Sequence, residues 1–154
     1  ELGVSAADVH AYVLGGHTEA TMVPVVSNAM VGGLPLTSLL SEERIQALVE
    51  RTRQGGAEVV ALLKTGSAFS APAAATAEMV EAVLLDRKRI LPCCAYLQGE
   101  YGIEDAFVGV PLKLGAGGIE AVLEGPLAPE ELEGMRRAAE ATKELVNLLR
   151  AQGV

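Results

Sequence analysis

Aromatic side chains are nearly missing from this chain. It has no tryptophan, and three tyrosines and two phenylalanines make up only 3% of its 154 residues. Any core must therefore be assembled from Ala, Val, Leu and Ile. Cysteine is equally scarce. Its two copies, Cys93 and Cys94, are adjacent, which excludes a disulfide framework. Neighbours on a strand face opposite sides, so both are expected as small buried thiols in a reducing cytoplasm. Histidine occurs only at His10 and His17. Neither stands at metal-ligand spacing from the cysteines, so no metal site is expected. Positive charge is short as well: 12 Lys and Arg face 20 Asp and Glu, for a net charge of -8. That balance excludes nucleic acid as a partner, because phosphates demand a basic surface. It also gives no general attraction for an anionic substrate, which would need local cations. Past His17 the next basic residue in sequence is Arg44. No apolar run reaches the ~20 residues that span a bilayer, and the front of the chain carries no secretory pattern, so no membrane partner is expected. The G-x-G-x-x-G turn of dinucleotide sites is missing too. Gly115 and Gly117 begin it, but Glu120 stands at the third position. No residue here is assigned to cofactor binding.

What is present reads as one domain of 154 residues, large enough to bury its own core. His10 to Leu14 and Thr21 to Val26 read as strands, and Gly32-Gly33-Leu34-Pro35 as a turn or loop. Ser41 can cap a helix whose first turn holds Glu42 and Glu43. Ile45, Leu48, Val49, Thr52, Val59, Val60 and Leu63 keep to one helical face through Gly55-Gly56. One helix is therefore predicted from 41 to about 64, ending at Lys64-Thr65-Gly66. Pro72 opens a second helix, with Met79, Val80, Val83 and Leu84 as its buried face. The small residues from Ala73 to Ala77 should pack closely on a neighbour. Ile90 to Leu97, Phe107 to Leu114 and Ile119 to Leu123 read as strands, joined by turns at 99–102 and 115–118. Pro129-Glu130-Glu131 opens a last helix with a stripe of Leu132, Met135, Ala139, Thr142, Leu145, Val146 and Leu149. Helices laid on antiparallel strands and hairpins make an α+β fold.

The stretch Val13-Leu14-Gly15-Gly16-His17 places a histidine in a glycine-rich bend at the end of an apolar segment. Glycine permits backbone shapes closed to other residues and lets another group approach closely. Histidine is the side chain best suited to exchanging protons near neutral pH. Of the two histidines, the glycines favour His17 as the acid-base candidate.

The segment VLGGHTEATMVP resembles the catalytic-histidine segment of the lactate/malate dehydrogenase family. GAEVVALLKTGSAFSAPAAA (56–75) resembles its substrate-side helix. AYLQGEYGIEDAFVGVPLKLGAGGIEAVLEGPLAPEE (95–131) resembles its closing hairpin region. KTGSAF and GVPLKLGAGG resemble the malate-acting members in particular. The resemblance runs in order along nearly the whole chain. It implies the C-terminal, substrate-binding and catalytic domain (1–154), without the NAD-binding domain that precedes it in the family. It further implies that His17 exchanges the hydroxyl proton of malate, or the carbonyl proton of oxaloacetate, while NAD carries the hydride. Ser67 matches a position lining the substrate pocket. The family's substrate-gripping arginines and the aspartate that pairs with the histidine lie upstream in its pattern, so the chain alone is expected to have negligible activity. A homo-oligomer is implied as well.

Two departures stand out. Thr18-Glu19-Ala20 replaces the usual Gly-Asp, one residue longer, and Ser70 stands where tyrosine is common. One extra residue in a tight bend can move a ring by more than an ångström, which costs roughly a hundredfold in rate. Glu19 is a candidate for the missing acid or a solvated side chain. A second reading comes from another class: a folded oligomerisation or interaction module without catalysis, whose apolar surface seeks partners.

Overall fold

A computed structural model describes residues 1–153. The chain runs β1 (Val9–Gly15), β2 (Met22–Val31), β3 (Leu34–Pro35), α1 (Glu42–Leu63), α2 (Ser70–Leu84), β4 (Arg89–Gln98), β5 (Glu104–Gly115), β6 (Gly118–Val122) and α3 (Pro129–Ala151). The six strands form one sheet in the order β3-β2-β1-β5-β4, with β6 also paired to β5. Every strand pair among the described residues is antiparallel. The sequence places these elements to within a few residues, except that Leu34-Pro35 forms a short edge strand rather than a loop.

The sheet consists of two ribbons. β1, β2 and β3 form one, and β4, β5 and β6 the other. They register at a single pair, Gly15 with Gly109. A Cβ on Gly109 would lie 2.8 Å from the Gly15 carbonyl oxygen, so the joint closes only because a side chain is missing there. Strand periodicity builds the core. Ala106, Val108, Val110, Leu112 and Leu114 alternate inward along β5, and Leu91, Ala95 and Leu97 do so along β4. Leu14, Val23 and Val25 continue the layer, which Met135 and Ala139 of α3 cover. Gly134 lets α3 sit close, since a Cβ there would lie 2.9 Å from Val23 Cγ2.

The helices bury less than their apolar patterns imply. Ser41 caps α1 by accepting from the Arg44 N–H, and the helix runs through Gly55-Gly56 as one element. Ile45 is buried and Leu48 and Val49 are half-buried, but Val59, Val60 and Leu63 are exposed. A helix of 22 residues is about 33 Å long and outruns the sheet beneath it. In α2 the expected face of Met79, Val80 and Leu84 is exposed. The residue that reaches the core is Ala82, with Val83 half-buried beside it. Only the C-terminal end of α2 meets the sheet. Ala73 to Ala77 are exposed and lie outside the buried core of the described residues. Leu145 and Leu149 of α3 are likewise exposed, while Thr142, Val146 and Arg150 line a cavity with Tyr96 and Phe107 of the sheet.

Glu131 ties the helical layer to the sheet. It is 7% exposed. Its Oε1 accepts from the Val26 N–H (2.8 Å) and the Ser27 N–H (3.0 Å). Its Oε2 accepts from the Ser27 hydroxyl (2.5 Å) and the Ala128 N–H (2.9 Å). Burial pushes this carboxyl up, but the Ser27 hydroxyl and the three backbone donors outweigh it and hold the group below the ordinary glutamate range. The sequence reading of Glu131 as a first-turn acid is correct but incomplete. It is also the anchor between α3 and β2. Cys93 is half-buried and Cys94 is exposed, both as free thiols. This corrects the expectation that both are buried, because Cys94 lies on the uncovered face of β4. Burial, with Cys94 and Glu78 nearby, raises the Cys93 thiol.

Candidate active site

β1 ends at Gly15 with φ +81°, and residues 16–21 turn the chain back into β2. A Cβ on Gly15 would fall 2.6 Å from the Thr21 carbonyl oxygen, and one on Gly16 would fall 2.2 Å from Thr21 Oγ1. The glycines thus admit the chain's own returning strand. The turn is closed by Gly16 N–H to Thr21 O (2.9 Å) and Met22 N–H to Thr18 O (2.9 Å). The Thr18 and Thr21 hydroxyls pair at 2.7 Å. His17 sits exposed at the start of this pinned loop.

Ser67 lies on a different loop. Lys64 caps α1 with φ +62° and donates its N–H to Val60 O. Gly66 follows with φ +88°, and the Phe69 N–H donates to Ser67 O (2.9 Å) before α2 begins. Ser67 is exposed, as is Phe69 beside it. Among the described residues no hydrogen bond joins His17 to Ser67, and neither makes a side-chain hydrogen bond. His10 is exposed on β1 opposite Met30.

Two observations change the reading of the loop's surroundings. The Glu19 carboxylate accepts a hydrogen bond from the Gln54 side-chain amide of α1. It is neither solvated alone nor bonded to His17. Cations are also nearer than the linear sequence implies. Arg53 of α1 and Arg137 of α3 line a cavity of about 270 Å³ whose wall includes Ala20 and Met22, just past His17. Sequence reasoning missed them because they stand 36 and 120 positions beyond the histidine.

The residues present do not form a dinucleotide cradle. The glycine run at 115–118 is the hairpin turn between β5 and β6, with no helix opening after it. No parallel crossover occurs among the described residues. Among those residues, no group of three or more His, Cys, Asp or Glu could hold a metal ion.

Residues 1–152 match the family model for the lactate/malate dehydrogenase, alpha/beta C-terminal domain. The chain belongs to the lactate/malate dehydrogenase family and forms its C-terminal fold. Its relatives named malate dehydrogenase include that of Chlorobium phaeobacteroides, 55% identical over 98% of this chain and 48% of the relative. That of Thermomicrobium roseum is 56% identical over 97% and 48%. Among solved structures, malate dehydrogenase from Salinibacter ruber superposes with a TM-score of 0.90 at 47% identity, covering 99% of this chain and 50% of that one. Lactate dehydrogenase from Cryptosporidium parvum, complexed with lactic acid and nicotinamide adenine dinucleotide, superposes at 0.91 with 40% identity, covering 96% and 48%. The chain spans about half the length of the curated relatives it matches.

Proposed function

We propose that this chain is the substrate-side catalytic domain of an NAD-dependent malate dehydrogenase, with His17 as the acid-base residue. The observation that carries the reading is the family match over 1–152 together with an exposed His17 on a loop whose backbone is fixed by hydrogen bonds. A neutral imidazole there would take the hydroxyl proton of malate, and the imidazolium would return it to oxaloacetate. Ser67 would contribute a hydroxyl to the substrate pocket. NAD supplies the hydride exchange in the family, and its binding falls to residues outside this chain. The chain is proposed to be inactive alone, since among the described residues no carboxylate hydrogen-bonds the His17 ring.

The test measures malate-dependent NADH formation by the isolated chain and by the chain fused to the cofactor-binding half of the Chlorobium phaeobacteroides enzyme. The isolated chain should show no turnover, and the fusion should prefer oxaloacetate to pyruvate. His17→Asn should lower the kcat of the fusion by about 10²–10⁴. Ordinary turnover by the isolated chain, or an active fusion indifferent to His17→Asn, would overturn the proposal.

One observation also favours self-association. Leu62, Leu63, Phe69, Leu84 and Leu85 expose large apolar side chains on distal α1, the following loop and the C-terminal end and cap of α2. The chain is proposed to form a homo-oligomer through these surfaces. Its free thiols support a reducing, cytoplasmic setting. No helix among the described residues is long and apolar enough to cross a membrane.

A further inference from the structure

We infer that Glu19 is a positioning residue for His17, acting through Gln54. The inference rests on the proposed proton role of His17, but its test does not need that role. The loop at 16–21 is closed at its base by backbone bonds and by the Thr18–Thr21 hydroxyl pair. Those contacts lie within the loop and between its own residues. The Glu19–Gln54 bond adds a side-chain link from the loop to α1, joining residues 35 positions apart. Glu19 lies two residues after His17, so a tether there limits the swing of the segment that carries the imidazole.

Gln54 stands in α1, whose C-terminal cap leads directly to Gly66 and Ser67. One bond therefore couples the histidine loop to the helix that presents the proposed substrate hydroxyl. Glu19 belongs to the Thr18-Glu19-Ala20 segment that sets this chain apart from its family pattern. The longer loop thus brings its own strut to α1.

The test follows the ring signals of His17 by NMR, and the amide exchange of Thr18 to Met22, in the full chain. Glu19→Ala and Gln54→Ala should each shift and broaden the His17 ring signals and speed loop exchange about 3–10-fold. The double variant should do no more than either single one. Glu19→Gln keeps an acceptor oxygen and should restore the parent ring signals. In the active fusion, the two alanine variants should lower kcat about 3–10-fold with KM within about twofold. Unmoved ring signals in either alanine variant, additive effects in the double variant, or failure of Glu19→Gln to restore them would overturn the tether. If instead His17→Asn leaves the fusion active while the ring responses appear as expected, the catalytic reading fails and the tether stands.

Discussion

Replacing Glu131 should separate the helical layer from the sheet at a calculable cost. In Glu131→Ala the N–H groups of Val26, Ser27 and Ala128 and the Ser27 hydroxyl all lose their acceptor. A buried donor left unpaired costs about 1–3 kcal/mol. Ser27 is exposed, so water can serve its hydroxyl, and the net loss should be about 3–5 kcal/mol. Glu131→Gln keeps one oxygen for the two β2 amides but turns an NH₂ toward the Ala128 N–H, and should cost about 1–3 kcal/mol. Acidity separates the two effects. The folded carboxyl titrates below the ordinary glutamate value of 4.5, so the unfolded state binds the proton first as pH falls. Its contribution is complete above that unfolded value and disappears as pH drops through the lower folded one. Urea unfolding at pH 7 and at stepwise lower pH should therefore show the gap between parent and Glu131→Gln narrowing below about pH 4.5. A Glu131→Ala midpoint within about 0.5 kcal/mol of the parent would refute the anchor. So would a Glu131→Gln deficit that does not change with acid.

Gly109→Ala should destabilise by about 1–3 kcal/mol in thermal melts, because its methyl would press on the Gly15 carbonyl at the ribbon joint. Tyr101→Phe removes a donor to Leu123 O (2.9 Å) and an acceptor for the Gly125 N–H (3.1 Å), so its urea midpoint should fall by about 1–2 kcal/mol. Leu62→Asp with Leu84→Asp should shift the chain toward monomer in light scattering. The melting midpoint should stay near the parent value, since both side chains are more than three-fifths exposed.

The sequence discloses most of the fold and only part of the candidate site. Ser41, Pro129 and the glycine turns mark element ends because caps and turns act over three or four residues. The alternation along β5 names its inward residues for the same local reason. Distant chemistry is hidden. Glu131 reads as a helix-start acid until β2, more than 100 positions away, delivers its donors. Arg53 and Arg137 converge on the histidine loop only once α1 and α3 lie across the same strand. The choice of Ala82 over Leu84 as the buried residue of α2 is a matter of tilt, which apolar content does not encode. The glycines favoured His17 over His10 as an acid-base candidate, whereas its role in malate chemistry and the choice of Ser67 came from the resemblance.

Gly15 and Gly109 act as a rivet between two sheets of fabric, and the rivet sits two positions before the imidazole. Loosening it would leave each ribbon intact and still turn His17 away from whatever it faces. Damage at that stitch should therefore lower the turnover of the fusion before it lowers the melting midpoint.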